Sequence, residues 1–205
     1  MVSPTPVPAA PQSEPWKRWA LVSLVVIVAA HLLDETAWRL LRLPSVYDKD
    51  WGRLLRSIGF LPTWLLLALA YWLHQREDPA RRAHTTFLVF GPALGGLAAE
   101  LLKLLFRRLR PDAETFGYAF RAFSDNPWSN RGLGLPSSHT LVAFAGAFAV
   151  ARLFPRVRWV MYALAAGCGL TRVMANAHYL SDTVVAACVA WAVVALMWER
   201  MGQRH

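Results

Sequence analysis

Apolar residues along this chain fall in long blocks, not in the strict alternation of a strand or the narrow stripe of a soluble amphipathic helix. Six blocks stand out: Trp19–Leu33, Ile58–Leu73, Thr85–Phe106, Ser138–Phe154, Arg158–Thr171 and Asp182–Trp198. Blocks of this kind, with charges gathered at their borders, predict transmembrane helices. The expected fold is all-α: a polytopic membrane protein with six spans in one bundle. Several blocks are shorter than the ~20 residues that cross hydrocarbon, and terminal Arg, Lys and Trp side chains make up the length by reaching into the interface. In the third block Gly91 and Gly95, beside Pro92 and Gly96, have the small-residue spacing that lets a second helix approach closely.

The links carry their own patterns. Asp34–Ser57 interleaves Trp38, Leu40, Leu41, Leu43, Trp51, Leu54 and Leu55 with charged residues, which predicts one or two amphipathic helices lying in the headgroup layer. Asp112–Leu135 mixes Phe116, Tyr118, Phe120, Phe123 and Trp128 with Arg121, Arg131 and the turn signal Asp125-Asn126-Pro127, and is expected to be a lid or headgroup-selecting loop. Residues 1–15 have no apolar period and are rich in Pro, Ser and Ala, so a disordered tail is expected ahead of a single domain over 16–205. Lys17 and Arg18 before the first block also fit the front of a signal peptide, but the further apolar blocks favour a membrane anchor.

Composition agrees with the pattern, since 56% hydrophobic residues and ten Trp in 205 exceed what a small soluble core needs. The formal charge of +9 adds a partner class. Its arginines sit at block edges rather than in one stripe, which suits anionic lipid headgroups of the bilayer and argues against nucleic acid. Cys168 and Cys188 lie in separate apolar blocks without metal-ligand spacing and are expected to be small buried hydrophobes. Nothing calls for Mg²⁺ or Zn²⁺, so neither a metal nor another cofactor is expected.

If all six blocks cross, the links after the first, third and fifth share one side of the membrane, and the candidate chemistry falls there. Lys103–Pro111 (KLLFRRLRP) closes the third block, Pro136–His139 (PSSH) opens the fourth, and Thr171–Asp182 (TRVMANAHYLSD) joins the last two. Lys103 and Arg110 are seven apart, so on a continuous helix they project from nearly one face until Pro111 stops it. Fixed cations of this kind stabilise the charge spread over a phosphoryl group in flight. The plainer alternative pairs Lys103 with Glu100 and leaves Arg107, Arg108 and Arg110 to anchor a helix end at the interface.

Ser137 or Ser138 is placed to cap the next helix, whose first amides form an anion site, and His139 is placed to give a proton to a leaving oxygen. His178 and Asp182 are four apart, so a helical turn stacks them; the carboxylate then binds one ring nitrogen and leaves the other as a nucleophile. Arg172 adds a fork of donors matched to phosphate oxygens. Here the alternative is that Asp182 caps the last helix and His178 is an interfacial residue.

Together, Lys103 with Arg110-Pro111, Pro136-Ser137-Ser138-His139, and Thr171-Arg172 with His178 and Asp182 resemble the tripartite signature of the type 2 phosphatidic acid phosphatase (PAP2) superfamily. Ser138 stands where that family usually has Gly, and Thr171 where it usually has Ser. The resemblance implies a metal-independent membrane phosphatase in which His178 attacks phosphorus, Asp182 orients it and His139 protonates the departing oxygen. Lys103, Arg110, Ser137, the backbone near Ser138, Arg172 and Thr171 would bind phosphate. The implied substrate is a phosphorylated membrane lipid such as phosphatidic acid, phosphatidylglycerol phosphate, undecaprenyl diphosphate or a lipid A phosphate. Alternatives are a phosphotransferase using the same phosphoenzyme and a non-catalytic lipid-phosphate-binding protein. Loop charge (Arg76, Arg81, Arg82, Arg152, Arg156 and Arg158 on the opposite side) puts both termini in the cytoplasm of a bacterial-type inner membrane and the active face outside, though Arg39, Arg42, Lys49, Arg53 and Arg56 vote the other way.

Overall fold

The computed structural model describes residues 15–202, so the expected tail up to residue 14 lies outside the described residues. Seven helices follow in order: α1 (Pro15–Leu40), α2 (Asp50–Ser57), α3 (Leu61–His74), α4 (Arg81–Phe106), α5 (Ser138–Leu153), α6 (Arg158–Met174) and α7 (Leu180–Gly202). Short 3-10 turns occupy Pro44–Asp48 and Pro155–Val157. Among the described residues extended pairing is limited to two isolated bridges, Arg108 with Phe120 and Leu109 with Leu133.

All six apolar blocks are helical, but they differ as spans. α1, α4 and α7 are long and apolar enough to cross a membrane, and α2 with α3, bent by 67° at a short break, make a fourth if the pair counts as one. α5 has 16 residues, about 24 Å of helix, and α6 has 17 with Arg158 and Arg172 near its ends. Length and composition thus support three or four spans where six were expected.

α1 also runs past its block into the link read as interfacial. Its Asp34 is 1% exposed and turned inward, where Oδ1 accepts the Ser181 amide proton at 2.8 Å, so this charge continues the helix instead of ending it. The amphipathic part of that link is α2, which exposes Trp51 and Leu54 and lays Leu55 against Gly167 of α6.

α5 is the axis of the bundle, packed by α4, α6 and α7. Its Leu141, Ala143, Ala145, Ala147 and Ala149 are fully buried, and a helix enclosed on all sides is apolar all round. Small residues bring the neighbours in: the place of a Cβ on Gly95 lies 2.8 Å from Leu141 and 2.9 Å from Ala145, which confirms Gly91 and Gly95 as a close-packing face. Outward-facing Leu21, Leu24, Leu66, Leu97, Leu101 and Leu196 leave an apolar perimeter suited to lipid.

Long-range bonds define two ends. At one, Trp16 Nε1 donates to Glu199 and Tyr71 donates to Asp78 at the α3–α4 link. At the other, Leu43 donates to the Met174 carbonyl, Trp38 Nε1 to Asp112 and Asp34 meets Ser181. The three motif blocks all lie at this second end. Gly59, in the α2–α3 break, seats α5 there, because a Cβ on it would stand 2.7 Å from the His139 Cβ and 2.8 Å from the His139 carbonyl oxygen. Gly59→Ala is therefore expected to destabilise the protein by about 1–3 kcal/mol through overpacking, read as a lower midpoint of thermal unfolding in detergent.

Candidate active site

The first block does not form the continuous helix that its spacing suggests. α4 stops at Phe106, and Arg107 adopts a left-handed backbone (φ 55°) whose amide closes on the Lys103 carbonyl. Lys103 and Arg110 consequently sit on different elements, and the helix ends well before Pro111. The break goes with the loop that follows: Arg107, 1% exposed, donates to the carbonyls of Arg121 (3.1 Å), Ala122 (2.8 Å), Asp125 (2.5 Å) and Pro127 (3.2 Å). Arg121 donates in turn to Ser129 and Arg131 carbonyls. The loop 112–135 is thus held by guanidinium groups, while Phe120, Phe123 and Trp128 remain exposed on it.

Arg107 and Arg108 are not interfacial anchors. Arg108 is 2% exposed, lies over the Tyr118 and Tyr179 rings at 5.0 and 5.1 Å, and donates through Nη2 to Asp182 Oδ1 at 2.5 Å and Ser181 Oγ at 2.7 Å. Ser181 Oγ donates to Asp34 Oδ2 at 2.5 Å, and Tyr118 donates to the same oxygen at 2.7 Å.

His178 precedes α7 and is 3% exposed. Its Nδ1 is 2.9 Å from the Gly134 carbonyl oxygen and 3.5 Å from Asp182 Oδ2. A carbonyl only accepts, so Nδ1 carries the proton and Nε2 keeps its lone pair. Asp182, fully buried, also accepts the Tyr179 amide proton on Oδ2 at 2.8 Å. Asp182 closes the first turn of α7 and faces the imidazole, but no helical turn stacks the pair: His178 lies before α7, and its short bond goes to the Gly134 carbonyl, with Asp182 at the longer distance. Burial pushes His178 down to about 4, against the pull of Asp182 and with the Arg172 and Arg110 charges adding to the effect.

At the α5 N-terminus neither serine caps the helix. Ser137 is the N-cap without a side-chain cap bond; its Oγ accepts from Thr140 at 3.0 Å, and its amide donates to the Asp182 carbonyl at 3.2 Å. Ser138 donates to Glu100 Oε1 at 2.6 Å and receives a bond from Lys103 Nζ. Lys103 pairs with Glu100 at 2.8 Å, and Asn130 of the loop 112–135 donates to Glu100 Oε2 at 2.7 Å. Among the described residues no side chain caps the first turn of α5. His139 stands edge-on to Phe60 at 5.1 Å, its Nε2 buried and unbonded among the described residues, within the electrostatic reach of Arg172, Arg56, His178 and Lys103.

Arg172, 6% exposed, donates from Nη1 to the Tyr47 hydroxyl at 3.0 Å, and its Nε is unbonded among the described residues. Arg110 lies within the fields of Arg172, Asp182 and Glu100; burial and the like charge of Arg172 hold its guanidinium below the ordinary range. Cations that repel one another in this way are eased by a nearby anion. Thr171 spends its hydroxyl on the Cys168 carbonyl at 2.8 Å within α6 and offers little to a ligand.

The expected site residues therefore meet at one bundle end, Thr171 being turned into its own helix. Sequence reasoning missed Gly134, Arg108, Asp34 and Tyr47. Asp34 had a signal, a carboxylate bordering an apolar block; Gly134 had only its place before Pro136, although a Cβ there would lie 3.1 Å from Asp182 Oδ2. Arg107→Ala is expected to free the loop 112–135, raising the rate of trypsin cleavage within it by roughly tenfold in the purified protein; unchanged cleavage would contradict the clamp.

Comparison with known proteins places this geometry. A family model described as "PAP2 superfamily" matches residues 84–205. The chain is 39% identical over 208 residues to a protein named lipid A 1-phosphatase from Rhizobium johnstonii (strain DSM 114642 / LMG 32736 / 3841), covering 91% of this chain and 82% of that one. It is 40% identical over 114 residues to a lipid A 1-phosphatase from Rhizobium etli (strain ATCC 51251 / DSM 11541 / JCM 21823 / NBRC 15573 / CFN 42), covering 52% of this chain and 47% of that one. Its fold is similar to the crystal structure of a transmembrane PAP2-type phosphatidylglycerolphosphate phosphatase from Bacillus subtilis, with a TM-score of 0.63, 15% identity, and coverage of 91% of this chain and 95% of the other.

Proposed function

This chain belongs to the PAP2 superfamily and is an integral-membrane lipid phosphatase, and we propose that it hydrolyses the 1-phosphate of lipid A through a phosphohistidine on His178. The substrate follows from the 39% identical relative, which aligns over 91% of this chain. The mechanism rests on one observation: the Nδ1 proton of His178 is committed to Gly134, which leaves the Nε2 lone pair free within the fields of Arg172 and Arg110.

In the first step Nε2 attacks phosphorus and the bond from phosphorus to the lipid oxygen breaks. Protonated His139 gives its Nε2 proton to that oxygen, so the lipid leaves as an alcohol. Water then attacks the phosphohistidine, His139 takes the water's proton, and inorganic phosphate departs with His178 restored. Arg110, Arg172, Lys103 and the α5 amides neutralise the equatorial oxygens, with Ser137 and Ser138 shaping that helix end. These cations supply the positive charge, so the step needs no divalent metal.

All six helical blocks cross the membrane in this reading, with the short arginine-rich links on the cytoplasmic side and the site at the outer face of a bacterial inner membrane. The loop 112–135, with its exposed aromatics over the site, selects the headgroup.

The test is phosphate release by the purified full chain in detergent with a chelator, from lipid A bisphosphate, phosphatidic acid, phosphatidylglycerol phosphate and undecaprenyl diphosphate. Lipid A 1-phosphate is expected to be the preferred substrate, with free phosphate as product; a phosphorylated acceptor would mark transfer instead. His178→Ala and Asp182→Ala are expected to lower turnover by at least ~10³-fold, and near-normal release by either would end the mechanism. Because the His178 value is depressed, its neutral form persists as pH falls: turnover lost to His178 protonation should appear only as pH approaches about 4, measured as the acid limb of kcat.

A further inference from the structure

We propose that Arg108, which lies between the matched positions Lys103 and Arg110 of the first motif block, is a positioning residue for the His178–Asp182 pair, fixing the plane of the carboxylate and balancing its charge through a guanidinium held by His31 and, through Ser181, by Asp34. The inference rests on the nucleophilic role of His178 given above.

Four observations carry it. Arg108 and Asp182 are 2% and 0% exposed, so their 2.5 Å ion pair is shielded from water. An unpaired carboxylate at that depth would be costly, and no other cation among the described residues lies within ion-pair distance of Asp182 apart from the His178 ring itself. The guanidinium is also held from behind. Ser181 Oγ accepts from Nη2 at 2.7 Å while donating to Asp34, and Nη1 is 3.3 Å from His31 Nε2. His31 Nδ1 is 2.8 Å from the Ile27 carbonyl oxygen and so carries its proton, leaving Nε2 to accept from Arg108. Finally, Tyr118 and Tyr179 bracket the plane from two sides, and Tyr118 and Tyr179 are themselves tied to Asp34 and the Gly117 carbonyl.

The consequence is geometric and electrostatic. Asp182 Oδ1 is occupied by Arg108, so only Oδ2 faces His178, and the ring is directed by Gly134 and that one oxygen. The Arg108 charge acts on Asp182, which it neutralises across the 2.5 Å ion pair, and reaches the imidazole through that carboxylate. The other groups acting on His178 are Arg172 at the end of α6, Arg110 after α4 and His139 on α5, and these remain when Arg108 is replaced. Lysine cannot substitute fully, because a single ammonium cannot reach Ser181, Asp182 and His31 in one plane.

The test compares wild type with Arg108→Met, Arg108→Lys, Ser181→Ala and His178→Ala, all full-length in detergent, on the lipid monophosphate that the wild type hydrolyses fastest. Substrate titration is then common to all profiles. Arg108→Met is expected to lower kcat by about 10- to 100-fold with KM changed less than about twofold, and to move the acid limb of kcat toward neutral by roughly one pH unit as uncompensated Asp182 favours imidazolium. Arg108→Lys should keep the limb near its wild-type position while losing part of kcat, and Ser181→Ala should lose kcat about threefold or more with a smaller limb shift in the same direction. A purely structural role predicts lower yield or melting temperature with an unmoved limb, and that result in Arg108→Met overturns the proposal. If Arg108→Met does not fold, wild-type kcat in both Arg108→Lys and Ser181→Ala overturns it. An active His178→Ala variant would instead remove the underlying mechanism, so the two failures are distinct.

Discussion

A carboxylate with no exposure to solvent organises the working end of this bundle. Asp182 takes the Arg108 fork on one oxygen and the Tyr179 amide on the other, and its carbonyl takes the Ser137 amide. Those donors come from the segment after α4, the turn before α7 and the start of α5. Burying such a charge is unfavourable unless every partner is present at once. The three motif blocks therefore fold as one polar unit, and the geometry that satisfies Asp182 is the same geometry that sets His178 beside Gly134.

Around this satisfied centre several buried polar nitrogens lack a partner among the described residues. Arg107 and Arg121 saturate carbonyls of the loop 112–135 and act as scaffolding. Arg110 feels the like charge of Arg172, the His139 Nε2 is buried without a partner among the described residues, and α5 begins without a side-chain cap. Glu100 is the counterweight, since it holds Lys103, Ser138 and Asn130 together and ties the loop 112–135 to the start of α5. Ser138, where the family usually has Gly, thus adds a hydroxyl to this cluster without capping the helix. A phosphate monoester, with several acceptor oxygens and up to two negative charges, complements the remaining donors.

Much of the helical plan was legible because hydrophobic blocks bounded by charge depend only on local sequence. The packing face at Gly91 and Gly95 was legible for the same reason, and the parity of the links was enough to expect Lys103, Arg110, His139, Arg172, His178 and Asp182 at one end, although length and composition support only three or four of the six crossings behind that expectation. The element boundaries were less so. Asp34 looks like the start of a polar link, yet it lies inside α1 because Ser181 and Tyr118 supply its bonds. The run from Lys103 to Arg110 reads as helix until Arg107 turns left-handed to reach four carbonyls of a loop up to 20 residues away.

By itself the sequence determined the helical, membrane-bound character of the chain and the set of acids, bases and cations it carries, since these are properties of composition and spacing. Only the tertiary structure decided how those groups divide their labour. Which arginine is spent on loop carbonyls, which nitrogen of His178 holds the proton, and which oxygen of Asp182 faces it all depend on partners 14 to 74 residues distant. Such choices are made by low-dielectric burial acting on groups from separate helices, a condition that exists only once the bundle has closed.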